Sequence, residues 1–455
     1  MLFTEKWLST VFPTNKNVTD EALIEQVFID SREQVKNGLF IPIVGERFDA
    51  HQFVLDAIEN GASSILWEED KPLPKDFPGN ISVFFVEDTT KALQNLSYAY
   101  KNHVKPKVIG ITGSNGKTTT KDLIANVAAS SYRTHATQGN LNNHIGLPLT
   151  ILSMPKDTEV LVLEMGMNAF GEIELLSNIA EPDISVITNI GESHIEFLGS
   201  REGIVEAKLE ILSGMSPNAR LIIDGDEKLL NNHKYDMKVI SCGFHSNNNV
   251  KINDVNNNIH QTTFTINNES LMFEISLVGV HHAKNAAYAI TVGKLLNIPI
   301  KIIKESLKNL ELSGMRFEVT KGNNGVTLVN DAYNASPTSM IGAIETIKSL
   351  DGFKYKVLVL GDILELGEHA KKFHQQIGEH ICDPITAVFT LGELAKEISH
   401  TVTKRAPEVT AWHAETHEQL LTFLEPHINA ESIILFKASR LLEFEQFIQQ
   451  FSNHE

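Results

Sequence analysis

Cysteine is nearly absent from this sequence, and it contains neither long apolar runs nor an excess of positive charge. Its two cysteines, Cys242 and Cys382, cannot build a disulfide framework, which favours a reducing compartment. No apolar run approaches the ~18 residues of a membrane-spanning helix. The first residues, MLFTEKWLSTVFPTNK, also lack the apolar segment of a secretory signal. These absences predict a cytoplasmic protein without membrane insertion.

The charge balance is acidic, with 39 basic and 57 acidic residues and a net charge of −18. Neutralising nucleic-acid phosphates requires a basic face, so nucleic acid is not an expected partner. The length of 455 residues predicts about three domains, and a hydrophobic content of 42% suffices for their cores. We expect a monomer.

A phosphate-binding loop dominates the middle of the chain, in the stretch KVIGITGSNGKTTTKDLIA at 107–125. An apolar strand leads into a glycine-rich turn, and a helix follows. The backbone N–H groups and the helix dipole suit an anion, the lysine adds charge for the phosphates, and the first threonine can bind Mg²⁺. A glycine-rich turn with a chance Gly-Lys-Thr is the alternative. The predicted nucleotide-binding residues are Gly113, Ser114, Asn115, Gly116, Lys117, Thr118 and Thr119.

Two later strand-like runs also end in polar side chains. The run 160–163 is followed by Glu164, and the run 184–187 leads to His194. Ligands of open α/β sheets bind outside the carboxyl ends of the strands, so these side chains and the loop predict a metal–nucleotide site. Lys208 lies among apolar neighbours on a helical pattern, where a lysine ordinarily extends its charge to solvent.

The organisation along the chain indicates an α/β protein. We expect domains at 1–105, 106–313 and 314–455, with strands at 38–44, 64–67 and 82–86 in the first. In the last, apolar runs recur about every 25–30 residues, which is the βαβ rhythm of a parallel sheet. The central domain should carry the phosphate loop and a mostly parallel sheet.

Other polar stretches are candidate ligand contacts. In the first domain, Asp30-Ser31-Arg32 and the stretch 45–51 combine short polar groups with an arginine, although solvated turns are the simpler interpretation of each. Arg316 stands at the entry to the third domain, where it could reach nucleotide phosphates when the domains close. Further polar strand ends follow at 331–337 and 361–367.

Taken together, these stretches resemble the Mur ligase family, the ATP-dependent amide-forming enzymes of peptidoglycan synthesis. The resemblance covers nearly the whole chain. The motifs that carry it include GITGSNGKTTTK (110–121), QGNLNNHIGLPLT (138–150), LEMGMN (163–168), TNIGESHIEFLGS (188–200), EAKLEI (206–211), NDAYNASP (330–337) and LGDILELGE (360–368). It implies a UDP-binding N-terminal domain, a central ATPase domain and a C-terminal Rossmann-like domain.

The resemblance also implies roles for single residues. Lys117, His194 and Lys208 would be catalytic, with Lys208 carbamoylated and so converted to an anionic metal ligand. The metal ligands would be Thr118, Glu164, His194 and Lys208, for two Mg²⁺ ions. ATP contacts would extend to Asn285, Arg316 and Asp331. The substrate-binding residues would be Ser31, Arg32, Arg47, Asn140, Asn142, Asn143 and Asn334.

The implied reaction joins D-alanyl-D-alanine to UDP-N-acetylmuramoyl-tripeptide through an acyl phosphate, with ATP as the phosphate donor. A sister ligase of the Mur or folylpolyglutamate type, with another amino acid as acceptor, is the nearest alternative, and NLNNHIG and NDAYNASP argue against it. A nucleotide-dependent switch would need a guanine-specifying NKxD loop, which the sequence lacks. A non-catalytic binding protein would not need an intact set of Lys117, Thr118, Glu164, His194 and Lys208.

Overall fold

The computed structural model describes residues 2–452, except for 46, 268–270, 310–313 and 315. It is an α/β protein of three domains, each built on its own sheet. The expected boundary at 105/106 lies between a helix that ends at Val104 and a strand that begins at Lys107. The boundary at 313/314 lies outside the described residues on its N-terminal side. Both boundaries stay predictions.

The N-terminal domain has a small, mostly parallel sheet. Its strands are β1 Phe3–Thr4, β2 Asn15–Lys16, β3 Leu23–Ile24, β4 Gln26–Phe28, β5 Gly38–Phe40, β6 Ala62–Glu68 and β7 Ser82–Val86, and its helices are α1 Glu5–Val11, α2 Val54–Glu59 and α3 Thr89–Val104. The strand order β2-β7-β6-β5-β4 is parallel except for β2, and β1 pairs with β3. The strand expected at 38–44 was too long, because β5 ends at Phe40, shortly before Pro42, which has no N–H to donate to a ladder.

The central domain carries the longest sheet in the described part of the chain, in the order β16-β15-β14-β13-β12-β11-β8-β10-β9. Its strands are β8 Lys107–Thr112, β9 Thr134–Ala136, β10 Val160–Glu164, β11 Ile184–Ile187, β12 Arg220–Asp224, β13 Lys238–Gly243, β14 Val250–Asn257, β15 Thr262–Ile266 and β16 Met272–Ile275. Its helices are α4 Lys117–Ala129, α5 Gly146–Ser153, α6 Glu172–Ala180, α7 Ile195–Leu198, α8 Arg201–Leu209, α9 Lys228–Asn231, α10 Val280–Leu295 and α11 Ile300–Lys308.

The chain's connections place a crevice at the carboxyl end of β8. β9 and β10 lie on one side of β8 and β11 lies on the other, all of them parallel, so the strand order reverses there. Side chains along β10 alternate between two cores. Val160 and Val162 pack in the cluster that contains α4, whereas Leu161 and Leu163 pack on the opposite face. A strand buried on both faces reads as an unbroken apolar run, which is how it appears in the sequence.

The C-terminal domain has a sheet in the order β17-β18-β22-β19-β20-β21, parallel except for β17. Its strands are β17 Glu318–Lys321, β18 Thr327–Asn330, β19 Tyr355–Gly361, β20 Ala387–Leu391, β21 Thr410–Ala414 and β22 Ser432–Lys437, and its helices are α12 Pro337–Ser349, α13 Ala370–Glu379, α14 Lys396–Arg405, α15 His417–Leu424 and α16 Glu445–Phe451. Helix α12 begins at a capping box of Ser336 and Ser339 with Pro337 in the first turn. No helix among the described residues has the length and apolar character needed to cross a bilayer.

Candidate active site

The phosphate loop lies between β8 and α4, where the strand order reverses. Gly113 and Gly116 have φ angles of +149° and +75°, a region that side chains disfavour. A Cβ on Gly113 would lie 1.8 Å from Oγ1 of Thr188, so the loop has no room for a side chain at this position. Oγ of Ser114 and Nδ2 of Asn115 are buried without a hydrogen-bond partner in the described structure. Unsatisfied donors at a helix N-terminus fit the binding of a phosphate.

Lys117 folds back over this loop. Its Nζ donates a hydrogen bond to the carbonyl oxygen of Gly113 at 2.9 Å, at the side where backbone N–H groups would meet an anion. Desolvation lowers the pKa of Lys117. The positive charge of Arg316 lowers this pKa further, whereas the negative charge of Glu164 raises it. A negatively charged ligand would reverse this effect, because it favours the protonated amine.

The hydroxyl of Thr118 joins three parts of the structure. It donates to Oε2 of Glu164, at the end of β10, at 2.7 Å, and it accepts a hydrogen bond from Nη2 of Arg316 at 3.0 Å. Arg316 belongs to the segment that leads into the C-terminal domain, and its guanidinium stacks on the ring of Tyr333 at 4.0 Å. The loop, the strand end and the third domain therefore meet at one side chain.

Glu164 is almost fully buried, at 3% exposure, and each of its carboxylate oxygens has a donor. Oε2 accepts from Thr118, and Oε1 accepts from Nδ2 of Asn142 at 2.9 Å. The Glu164 N–H donates to Oγ1 of Thr137, which fixes the strand end against the loop that carries Asn142. A carboxylate held beside a hydroxyl supplies the oxygen ligands that Mg²⁺ prefers.

Lys208 does not extend to solvent, so the ordinary interpretation of its position is wrong. The side chain is 1% exposed on α8, and no described residue accepts a hydrogen bond from its Nζ. Burial and the charge of Lys117 lower its pKa well below the ordinary value for lysine. A neutral amine is the form of lysine that reacts with CO₂, so the environment fits the carbamoylation that the resemblance implies.

His194 lies at the opposite wall, where the central and C-terminal domains meet. Its Nδ1 is 2.7 Å from Oε2 of Glu365, which lies in the loop after β19. This close contact with His194 lowers the pKa of Glu365, against the effect of burial. In the sequence, Glu365 is only one residue of the polar strand end 361–367. Its contact with His194 across the domain interface could not be predicted from that pattern.

The predicted metal ligands fall into two groups. In the first group, Thr118 and Glu164 are in direct contact, and Lys208 is close enough for its pKa to respond to the charge of Lys117. The second group is His194 alone, beside Glu365. In the described part of the chain, no group of three or more His, Cys, Asp and Glu side chains could hold a metal ion by itself. The donors that are present, a hydroxyl, a carboxylate and an amine that can become a carbamate, fit Mg²⁺ only when nucleotide oxygens complete the shell.

The nucleotide side of the loop is bounded by α10. Asn285 is buried one turn into this helix, and its amide lies 3.0 Å from the place where a Cβ of Gly116 would be. The Nδ2 of Asn285 lies 3.4 Å from Nδ1 of His282. Asp331, predicted to contact the ribose, forms an ion pair with Nζ of Lys437 at 2.6 Å and accepts from the N–H of Phe317. The assignments of Asn285, Arg316 and Asp331 to ATP stay predictions.

The domains meet around a cleft of about 650 Å³. Asn140 and Asn334, two of the predicted substrate-binding residues, line it together with His194 and Arg316. Asn143 is used differently: its Oδ1 accepts from the N–H groups of Ile145 and Gly146 and so holds the start of α5.

Ser31, Arg32 and Arg47 lie on the N-terminal domain and are not among the residues that line this cleft. Arg32 has an exposed guanidinium that pairs with Asp30 and holds the pKa of that carboxyl at about 2. Ser31 accepts a hydrogen bond at its carbonyl oxygen from Nδ2 of Asn60, and Arg47 is exposed. Their role in substrate binding stays a prediction.

Two more cross-domain contacts were not predicted. Oγ of Ser336 donates to Oδ1 of Asn115 at 2.9 Å, and Oγ1 of Thr338 donates to Oε2 of Glu192 at 2.6 Å. Ser336 belongs to the NDAYNASP stretch, so the sequence showed the motif but did not predict its contact with Asn115. Both bonds join the start of α12 to loops around the phosphate site.

Comparisons with known proteins agree with this arrangement. The family model described as Mur ligase middle domain matches residues 111–293, and the model described as Mur ligase, glutamate ligase domain matches 315–440. The UDP-N-acetylmuramoyl-tripeptide–D-alanyl-D-alanine ligase of Bacillus subtilis strain 168 is 45% identical over 431 residues, which cover 94% of this chain and 93% of the relative. MurF from Acinetobacter baumannii superposes with a TM-score of 0.87 at 27% identity, over 98% of both chains. MurF ligase from Thermotoga maritima in complex with ADP gives 0.83 at 29% identity, over 95% of this chain and 98% of the other.

Proposed function

The chain belongs to the Mur ligase family of ATP-dependent, amide-forming ligases, and from this premise we propose that it joins D-alanyl-D-alanine to the tripeptide of a UDP-N-acetylmuramoyl-tripeptide in peptidoglycan precursor synthesis. The observation that carries the proposal is the Thr118 hydroxyl, which contacts both the Glu164 carboxylate and Arg316 of the third domain. A relative that carries this name covers nearly the whole chain, which supports the choice of acceptor.

The proposed reaction has two steps. The terminal carboxylate of the tripeptide attacks the γ-phosphorus of ATP, so that ADP leaves and an acyl phosphate forms. The neutral amine of the dipeptide then attacks the acyl carbon, and the tetrahedral intermediate loses phosphate and one proton of the nitrogen as the amide forms. The first step is necessary because a carboxylate has no good leaving group of its own.

The chain's residues serve this chemistry mainly by charge and position. The amides of the phosphate loop and Lys117 bind the phosphates, and Arg316 reaches the same place from the third domain. Thr118, Glu164 and a carbamoylated Lys208 would hold one Mg²⁺, and His194 would contribute to a second. When bound, the metal offsets the repulsion between the two anionic substrates.

The N-terminal domain is proposed to bind the UDP end of the substrate through Ser31, Arg32 and Arg47. Asn140, Asn142 and Asn334 would meet the peptide in the cleft, where Asn140 and Asn334 are lining residues. We also propose that the enzyme acts as a cytoplasmic monomer, since ATP is its phosphate donor and both walls of the cleft come from one chain.

Phosphate release from ATP tests the proposal. Release should require UDP-N-acetylmuramoyl-tripeptide and D-alanyl-D-alanine together, and mass spectrometry should find the amide product. Single amino acids in place of the dipeptide are the control for a sister ligase. Phosphate release that does not respond to the dipeptide would contradict the proposed function.

A further inference from the structure

The contact between His194 and Glu365 joins a predicted metal ligand to a carboxylate of another domain. Nδ1 of His194 and Oε2 of Glu365 are 2.7 Å apart, although 171 positions separate the residues in the sequence. The two side chains are 22% and 48% exposed, so the pair lies at the cleft rather than in a core.

The backbone on both sides of the pair is set in an unusual conformation. His194 and Glu365 have φ angles of +64° and +62°, the left-handed region that residues with a Cβ seldom adopt. The N–H of Glu196 approaches the carbonyl oxygen of Glu365 at 3.4 Å, so main chain and side chain meet at the same point. Such a conformation persists where surrounding contacts determine it, and it is frequent at ligand sites.

The chemistry of histidine gives this contact a specific consequence. Nδ1 of His194 faces the carboxylate at 2.7 Å, although the pair is not aligned as a hydrogen bond in the described structure. A neutral imidazole that carries its proton on Nδ1, beside a carboxylate, has its lone pair on Nε2, which fixes the tautomer. Nε2 of His194 has no hydrogen bond to any described residue, and His194 lines the cleft with Arg316.

We propose that Glu365 is a positioning residue for the metal site: it orients His194 from the C-terminal domain, so that the full set of metal ligands exists only when that domain is docked. The inference rests on the proposed function, because it takes His194 to be a metal ligand. It adds a residue outside the central domain on which metal affinity depends. The alternative, in which Glu365 competes with the metal for His194, predicts the opposite change in affinity.

The experiment measures binding of Mn²⁺ as a paramagnetic substitute for Mg²⁺, in the full-length protein with a non-hydrolysable ATP analogue. Free Mn²⁺ is followed by its electron paramagnetic resonance signal, so no turnover is required. Glu365→Ala should weaken the binding of one Mn²⁺ about tenfold, the lower end of the effect of removing a carboxylate behind a ligating histidine. Glu365→Gln keeps an oxygen that accepts from Nδ1–H and should recover most of the affinity.

Glu368→Ala is the matched control, since this exposed carboxylate lies three residues further on and should leave Mn²⁺ binding unchanged. In a His194→Ala background, Glu365→Ala should add little. Unchanged or tighter Mn²⁺ binding in Glu365→Ala, or an equal loss without His194, would overturn the inference. If His194→Ala itself leaves Mn²⁺ binding unchanged, the proposed role of His194 as a metal ligand fails instead. Melting temperatures identify a variant that does not fold, in which case Glu365→Gln, compared with Glu365→Asp, decides.

Discussion

Replacement of Lys208 by methionine should separate catalysis from stability. Methionine is unbranched and of similar length, so it fills the same buried space without the amine. The side chain of Lys208 is 1% exposed and desolvation lowers the pKa of its amine, so removing this amine should stabilise the protein by about 1–3 kcal/mol. If Lys208 had only a structural role, this substitution would change stability and leave kcat unchanged.

The expected effect on catalysis has the opposite sign. If a carbamate on Lys208 holds the metal that offsets charge in the reaction, its loss resembles removal of a preorganised electrostatic group, about 3–4 kcal/mol or a 10²–10³-fold decrease in kcat. Phosphate release and urea denaturation measure the two quantities in one preparation. Lys208→Ala should regain part of the activity with bicarbonate or short carboxylates.

Lys356→Met is the matched control. Lys356 is also buried, at 5% exposure, but it lies in the C-terminal domain and its Nζ donates to the carbonyl oxygen of Lys348 at 2.7 Å. Its replacement should cost about 1 kcal/mol of stability and leave kcat unchanged. Carbon-13 NMR with labelled bicarbonate should show a carbamate carbon that disappears in Lys208→Met. Turnover of Lys208→Met within a few-fold of the unaltered enzyme, or no carbamate signal, would refute the reasoning.

Three further predictions concern Lys117 and Gly113 of the phosphate loop, and the ion pair between Asp226 and Lys284. Lys117→Ala should lower kcat about 10²–10³-fold in the phosphate-release assay, and near-normal turnover would remove this lysine from the mechanism. Gly113→Ala should weaken ADP binding at least tenfold by calorimetry, since its Cβ would lie 1.8 Å from Oγ1 of Thr188. Asp226→Asn should cost about 2 kcal/mol at pH 7: burial would raise the pKa of Asp226, but backbone N–H groups and Lys284 lower it from 3.8 to about 2. That stability is present above pH 3.8 and is lost as the pH falls through about 2, so urea midpoints of the two proteins should converge in acid.

Local features of the fold followed from the sequence. The strands predicted at 82–86 and 184–187 have the observed bounds. Each apolar run stops at a polar residue, Glu87 after the first strand and Thr188 after the second. The strand predicted at 38–44 exists but was too long, since apolar character continues past Phe40 whereas ladder pairing does not. Hydrophobicity reports burial, and a loop can be buried without belonging to a sheet.

The part of the candidate site that lies at the edge of one sheet could be predicted from the sequence. The part that lies between two domains could not. Parallel strands bring their carboxyl ends together, so Thr118 and Glu164 could be paired from the order of motifs alone. The partnership of His194 with Glu365 depends on how the third domain docks, which no local pattern encodes. Helical spacing alone favoured an exposed lysine at Lys208, because spacing does not show whether a lysine at an apolar face reaches solvent.

The domain contacts themselves explain how such a site can both open and protect an intermediate. Polar contacts from Arg316, Ser336, Thr338 and Glu365 join the third domain to the central one at the cleft. Each hydrogen bond of this kind contributes about 0.5–1.5 kcal/mol net. The cleft has to admit three substrates and release three products, so contacts of this size have to open and re-form in each turnover. An acyl phosphate must be kept from water until the amine arrives, so substrate binding has to add the remaining free energy of closure. Contacts to the loop and to His194 therefore tie closure to the phosphate and metal sites that closure protects.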